Sequence, residues 1–168
     1  MPARREPKSS PISLRDYYSD DFRRLWEIDQ QCFTRGIAYS QRELAYYIAM
    51  AGAFAIVAER ADSGANESGA GKRLIVGFLV GQKLPRGLGH IVTIDVVAEA
   101  RRAGVGSLLM EECEQRLRNA GCSAIYLETA VDNDPALRFY KGRGYSVLKT
   151  IPRYYLGKLD ALLMGKTL

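Results

Sequence analysis

Along the chain, short runs of alternating apolar and polar positions are interleaved with longer stretches whose apolar residues recur every three or four. The segment "SPISLRDYY" reads as a first strand. In "SDDFRRLWEIDQQCF", Phe22, Leu25, Trp26 and Ile28 make one helical stripe, with Ser19, Asp20 and Asp21 as N-cap candidates. After the loop "TRGIAY", Ser40 and Glu43 have the spacing of a capping box that opens a second helix, "QRELAYYIAM". "AFAIVAER" and "RLIVGFLVGQKL" are the next two strands, and the Gly, Ser and Asn content of "ADSGANESGAGK" between them predicts a mobile hairpin loop.

A strand "HIVTIDVV" then feeds, through "RRAGVGS", a helix reaching Ala120, with Gly121 placed to cap it. On that helix Val105, Leu108, Leu109, Cys113 and Leu117 share the face expected to pack on a sheet. "SAIYLETA" is the following strand, so the unit is strand, helix, strand, which predicts a parallel pair with a right-handed crossover. "NDPALRFYKGRG" makes a shorter helix with Pro135 near its start, and "YSVLKTIPRYY" and "DALLMGKTL" close the chain as an antiparallel hairpin. The order of elements predicts one α+β domain over residues 11–168, preceded by a loose basic tail, residues 1–10.

The 168 residues suffice for one domain with its own core. Hydrophobic residues make up 47% and charged residues 26%, as in a soluble globular protein. The formal charge of +5 owes much to "MPARREPKSSP"; the mild remainder suits an anionic ligand, and no basic stripe interleaved with aromatics points to nucleic acid. Cys32, Cys113 and Cys122 are odd in number, lack metal spacing and sit among apolar neighbours, so they read as buried reduced thiols, with no metal. Neither a leader nor a membrane-spanning run is expected, which places the chain in the cytoplasm.

The chemistry concentrates at "RRAGVGS". Amides at a helix N-terminus have no intrahelical acceptor, and glycines leave them open to an anion, helped by the helix dipole. A glycine turn with solvated arginines would read the same from these seven residues alone. A dinucleotide fingerprint would need glycine where Leu109 stands, which argues against a nicotinamide cofactor. Gly71-Lys72 resembles the end of a phosphate-binding P-loop, but Arg73 replaces its Ser or Thr and a strand follows.

From Arg101 to Gly106 the chain resembles the Gln/Arg, two residues, Gly, one residue, Gly/Ala motif of the GCN5-related N-acetyltransferases, and the resemblance runs from "HIVTIDVV" through the terminal hairpin. "NDPALRFYKGRGY" is similar to the RimI-like and Ard1-like protein N-terminal acetyltransferases in the spacing of its Asn, Ala, Tyr and Gly. The fold implied is a three-layer, mixed, mostly antiparallel sheet of about seven strands with a central parallel pair and flanking helices. Acetyl-CoA is the implied co-substrate, lying between strands 90–97 and 124–130. Its pyrophosphate would rest on Arg102, Ala103, Gly104, Val105, Gly106 and Ser107, with Arg101 adding charge. Asp95, Val96 and Val97 would meet the pantetheine arm by backbone bonds.

The resemblance also implies roles for side chains. Tyr140 matches the acid that protonates the coenzyme sulfur, and Glu128, twelve residues earlier, matches a general base. His90 stands where relatives carry a tyrosine implicated in proton transfer, though a lone histidine at a strand start is equally a structural residue. Asn133 can meet the cofactor or cap its helix, and Lys141 can pair with the 3′-phosphate. Tyr154 and Tyr155 match a tyrosine pair that holds the acceptor backbone, with Phe33, Ile37 and Tyr39 forming the opposite wall. The expected acceptor is a protein or peptide N-terminus, and the expected enzyme a monomer or weak homodimer. A small-amine acetyltransferase and a non-catalytic acetyl-CoA-binding module are the alternatives. The twelve-residue loop at 61–72 and the sequence "TRGIAY" depart from the family pattern.

Overall fold

Apolar runs, continuous in the centres of β2 and β3 and alternately buried in β4 and β5, mark the strands of a seven-stranded set: β1 (Ile12–Asp16), β2 (Ala53–Ala61), β3 (Arg73–Leu84), β4 (Leu88–Val96), β5 (Ala124–Ala130), β6 (Ser146–Tyr155) and β7 (Leu159–Thr167). The stretches with helical spacing become α1 (Phe22–Cys32), α2 (Gln41–Ala49), α3 (Val105–Asn119) and α4 (Asp134–Gly142). This computed structural model describes residues 11–62 and 72–168. The expected loose tail of residues 1–10 and most of the expected mobile loop lie outside the described residues.

All seven strands join one sheet in the order β1-β2-β3-β4-β5-β7-β6. Every pairing is antiparallel except β4 with β5. The fold class is the expected one, including the parallel pair joined by α3. The terminal hairpin docks through β7, so β6 is left as an exposed edge.

Helix α3 packs on β2, β3 and β4 with Val105, Leu109, Met110, Cys113 and Leu117 buried. The approach is close enough that a Cβ on Gly89 would lie 2.6 Å from Leu117 Cδ1. Leu108, expected on this stripe, is instead 38% exposed. The buried stripe follows the i, i+4 row from Val105 to Leu117 and widens toward Met110 and Glu114, on the side away from Leu108. Helix α1 covers the other face of β3 and β4 with Leu25 and Ile28.

The Ser40–Glu43 capping box forms as expected. Asp21, expected as an N-cap, turns back instead to Arg15 at 2.7 Å and to the Tyr18 amide at 2.8 Å. The guanidinium is the stronger partner, so the charged pair wins over the helix amides. Cys113 and Cys122 are buried free thiols, whereas Cys32 is only half-buried.

Candidate active site

The parallel pairing of β4 with β5 lasts only from Leu88↔Ala124 to Ile91↔Leu127. At that point the register of β4 against β3 skips Val92, with Gly81 opposite Ile91 and Val80 opposite Thr93. Such a bulge bends its strand, while β5 stays paired with β7 as far as Ala130↔Ala161. The two parallel strands therefore part into a cleft, walled by β4 beyond Val92 and β5 beyond Glu128.

The bulge also shifts the phase of the side chains. Gly89 faces Leu117 of α3, yet Asp95, of the same parity, lies within electrostatic reach of Asp29 and Cys32 on α1. Val96, the next residue, packs with Gly77 and Val105 on the α3 side. Main-chain groups are sorted too. The Val97 amide donates to Val76 O at 2.9 Å, so by the alternation of ladder bonds Asp95 and Val97 turn their main chain to β3, while Ile94 and Val96 turn theirs to the cleft. Of the three residues whose main chain was expected to meet the coenzyme, only Val96 turns its own to the cleft, and Ile94 joins it. The Val96 carbonyl is engaged by Arg101 Nε at 3.0 Å and Cys32 Sγ at 3.4 Å, so Arg101 points back at β4 instead of into the anion site.

The "RRAGVGS" turn closes the cleft's end. Arg102 has φ 62° and Gly104 φ 81°, with no other positive φ between them. Main chain that alternates in hand gathers its N–H groups into a concave nest for an anion. The first α3 amide bond runs from Leu108 to Gly104 O at 3.0 Å, so the amides from Gly104 to Ser107 have no acceptor one turn back. Gly104 is needed for its backbone angle, and a Cβ there would meet nothing within 4 Å. At Gly106 the space is tight, since a Cβ would stand 3.3 Å from the Phe139 ring of α4. Ala103 and Arg102 are exposed, Ser107 is half-buried, and Val105 points into the core, leaving only its amide for a ligand. On α4, Asn133 Oδ1 caps Ala136 N at 3.3 Å and Lys141 is exposed. The donor set fits a pyrophosphate-bearing coenzyme on the amides and an extended amide-bearing arm along Ile94 and Val96.

Where the strands part, His90 Nε2 lies 2.7 Å from Glu128 Oε2, both about one-sixth exposed. His90 also stacks on its register partner Tyr126, ring centroids 4.4 Å apart. Tyr154, Tyr155, Tyr47 and Tyr126 all lie within electrostatic reach of Glu128. Burial, with Glu128, Tyr47 and Tyr126 nearby, pushes Tyr154 up to about 12. These tyrosines come from α2, β5 and the β6–β7 end. Tyr39, in the α1–α2 loop, packs on Tyr47 at 4.9 Å, and Tyr154 packs on Tyr155 at 4.9 Å. The loops meet as well, for a Cβ on Gly36 would lie 2.8 Å from Leu156 Cδ1. Phe33 and Ile37 are half-buried in the same α1–α2 loop. Tyr126 and Tyr47 escaped the sequence reading. Tyr126 could have been found as the residue two before Glu128 on one strand face, while Tyr47 had no local signal.

Tyr140 stands apart from the His90–Glu128 pair. It is 7% exposed, and burial, then Asp95 and Tyr155, raises its pKa well above the usual phenol range. A phenol so placed is a proton donor, never an anion, at neutral pH. Among the described residues no helix is long and apolar enough to cross a membrane, and no group of three His, Cys, Asp or Glu could hold a metal ion.

Splayed parallel strands, free amides at the start of the helix that joins them and a buried phenol on α4 are features of one fold family. The chain belongs to the acetyltransferase (GNAT) family, whose model matches residues 14–145. It is 40% identical over 93 residues, 55% of this chain and 59% of the relative, to an uncharacterised N-acetyltransferase of Methanocaldococcus jannaschii. It is 35% identical over 81 residues, 48% of each chain, to an N-alpha-acetyltransferase of Sulfurisphaera tokodaii. The chain thus spans about half the length of the curated relatives it matches. The crystal structure of Ard1 from Thermoplasma volcanium superposes with a TM-score of 0.78 at 27% identity, over 94% of this chain and 97% of that one.

Proposed function

We propose that this protein is an acetyl-CoA-dependent N-acetyltransferase whose acceptor is the α-amine of a protein N-terminus. The observation that carries the acceptor is the His90–Glu128 pair with four tyrosines about Glu128, Tyr47 of α2, Tyr126 of β5 and Tyr154 and Tyr155 at the end of β6. Phenols offer hydrogen bonds suited to a peptide backbone. A polycationic small amine would call for several free carboxylates, whereas Glu128 is already paired with His90.

The amides of Gly104 to Ser107, with Arg102 beside them, would hold the coenzyme pyrophosphate, and the main chain of Ile94 and Val96 its pantetheine arm. Bound there, acetyl-CoA supplies an acetyl group activated as a thioester. Glu128 and His90 take a proton from the acceptor ammonium, directly or through one water, so that the nitrogen attacks as the free amine. Tyr140 holds the proton that the departing sulfur receives. Transfer is direct, in a ternary complex.

The test is incubation with acetyl-CoA and a panel of peptides differing in their first two residues, alongside polyamines and an amino sugar, read by mass. Acetylation of peptide α-amines is the expected result. Transfer to small amines alone, or to none, overturns the acceptor assignment.

A further inference from the structure

Two buried carboxyl groups take no part in the chemistry above, and each has one oxygen with no hydrogen-bond partner: Asp29 Oδ1 on α1 and Asp95 Oδ2 on β4. Their residues are 0% and 1% exposed. Helix α1 lies against β4 here, for Cys32 Sγ, one turn after Asp29, reaches the carbonyl of Val96, next to Asp95, at 3.4 Å, and two buried carboxylates on facing elements are costly as two anions. The other half of each carboxyl is committed. Asp29 Oδ2 accepts the Tyr39 amide at 2.7 Å and Gln30 Nε2 at 3.1 Å, and Asp95 Oδ1 accepts Thr93 Oγ1 at 3.2 Å.

These bonds connect the two substrate sites. Tyr39 belongs to the wall of the acceptor slot, and its residue is held at every polar point. Its carbonyl accepts Gln30 Nε2 at 2.7 Å and Trp26 Nε1 at 3.1 Å, and its hydroxyl reaches the carbonyl of the bulge residue Val92 at 3.4 Å. Asp95 sits on the same strand beyond the bulge, beside the main-chain groups that face the cleft. We propose that Asp29 and Asp95 form a carboxyl pair holding one proton between them, directly or through a single water, and that this pair fastens the acceptor loop to the cofactor strand. Both are positioning residues, acting through Tyr39 on the acceptor. The inference rests on the reading of that loop as the acceptor wall.

The electrostatic surroundings agree. Burial lifts Asp29 to about 6, with Tyr39 and Gln30 opposing the rise and Glu43 of α2 adding to it. Burial and then Asp29 hold Asp95 well above the carboxylate range, against Thr93 and Arg101. Cys32 of α1, Tyr39 of the α1–α2 loop and Tyr140 of α4 are the other titratable groups facing Asp95. At neutral pH the pair carries one proton and one negative charge.

The experiment compares Asp95→Asn, whose amide replaces a protonated carboxyl as a donor, with Asp95→Leu, which has none. Infrared difference spectra at pH 7 should show a protonated-carboxyl C=O band in the native protein that disappears in Asp95→Asn. In steady-state assays at saturating acetyl-CoA, Asp95→Leu should raise the acceptor KM roughly tenfold, the loss of one buried hydrogen bond, with kcat and the acetyl-CoA KM little changed. Asp95→Asn should recover the acceptor KM to within about twofold. The pairing is refuted if no such band is lost, or if Asn and Leu at position 95 are equally impaired while both variants melt cooperatively. Because the band is read without any acceptor, absence of peptide acetylation would defeat the function proposed above while the spectra still decide whether the proton is shared.

Discussion

Gly104 and Gly121 make a matched pair. Their φ angles are +81° and +84°, and at neither does an added Cβ meet an atom within 4 Å. Alanine at either position therefore adds backbone strain and no clash. The left-handed conformation costs an L-residue about 1–2 kcal/mol, so the two variants should be destabilised alike. For a domain of this size that is a fall in Tm of roughly 2–8 °C. Their positions differ in one respect: Gly104 heads the row of free amides at the start of α3, and Gly121 follows the other end of the helix. Strain at 104 falls on the backbone angle that aims these amides and disturbs one charge-assisted amide bond, about 1.5 kcal/mol, or just over tenfold in Kd. Isothermal titration of acetyl-CoA into both variants, with thermal melts of the same samples, is the assay. Gly104→Ala should bind at least tenfold more weakly and Gly121→Ala within twofold of the native protein. Equal losses of affinity, or none for Gly104→Ala, would refute the assignment of this turn as the pyrophosphate site.

Other expectations concern chemistry and pH. Glu128→Gln and His90→Gln should each lower kcat on a peptide acceptor by roughly 10²-fold or more with unchanged acetyl-CoA Kd, and the double variant should be little slower than the worse single, because two groups joined at 2.7 Å act as one unit. Independent, multiplicative losses would separate them. Tyr140→Phe should depress turnover at saturating acceptor while leaving the melting temperature within a few degrees, since the ring that fills the core is retained. Asp29 has a folded pKa raised to about 6 from an unfolded value near 3.8, so the folded state binds the extra proton and stability falls as pH rises between these values, by up to about 3 kcal/mol. Urea unfolding at pH 4 and pH 7 should show a larger fall in the native protein than in Asp29→Asn, which keeps the fall due to buried Asp95; an equal fall in the two would place the titration elsewhere.

The elements were legible in the sequence because each rests on local rules. The capping box of α2, Pro135 at the start of α4 and the period of α3 are statements about neighbours within one turn, and they hold, with Leu108 of the α3 stripe as the exception. The "RRAGVGS" turn was legible for the same reason, since its glycines and the helix after it are contiguous. Glu128 and His90 were named separately, from a resemblance and from residue type. Their contact depends on the parallel register of Leu88 to Ile91 against Ala124 to Leu127, which brings together two residues 38 apart in the chain.

What the sequence by itself determined is the set of elements, the glycine turn that opens α3 and the residue types available for proton transfer, because these depend on spacing along one chain. What only the tertiary structure decided is which face each residue of β4 presents. A strict two-residue alternation would set Asp95 with Gly89 under α3 and opposite His90. The bulge at Val92 inverts that phase, turning the Asp95 side chain toward Asp29, pointing Ile94 and Val96 main-chain groups into the cleft and parting β4 from β5. A bulge is one extra residue between two strands, and its position is set by how β3 and β4 pair across the sheet, which no local pattern in "HIVTIDVV" encodes.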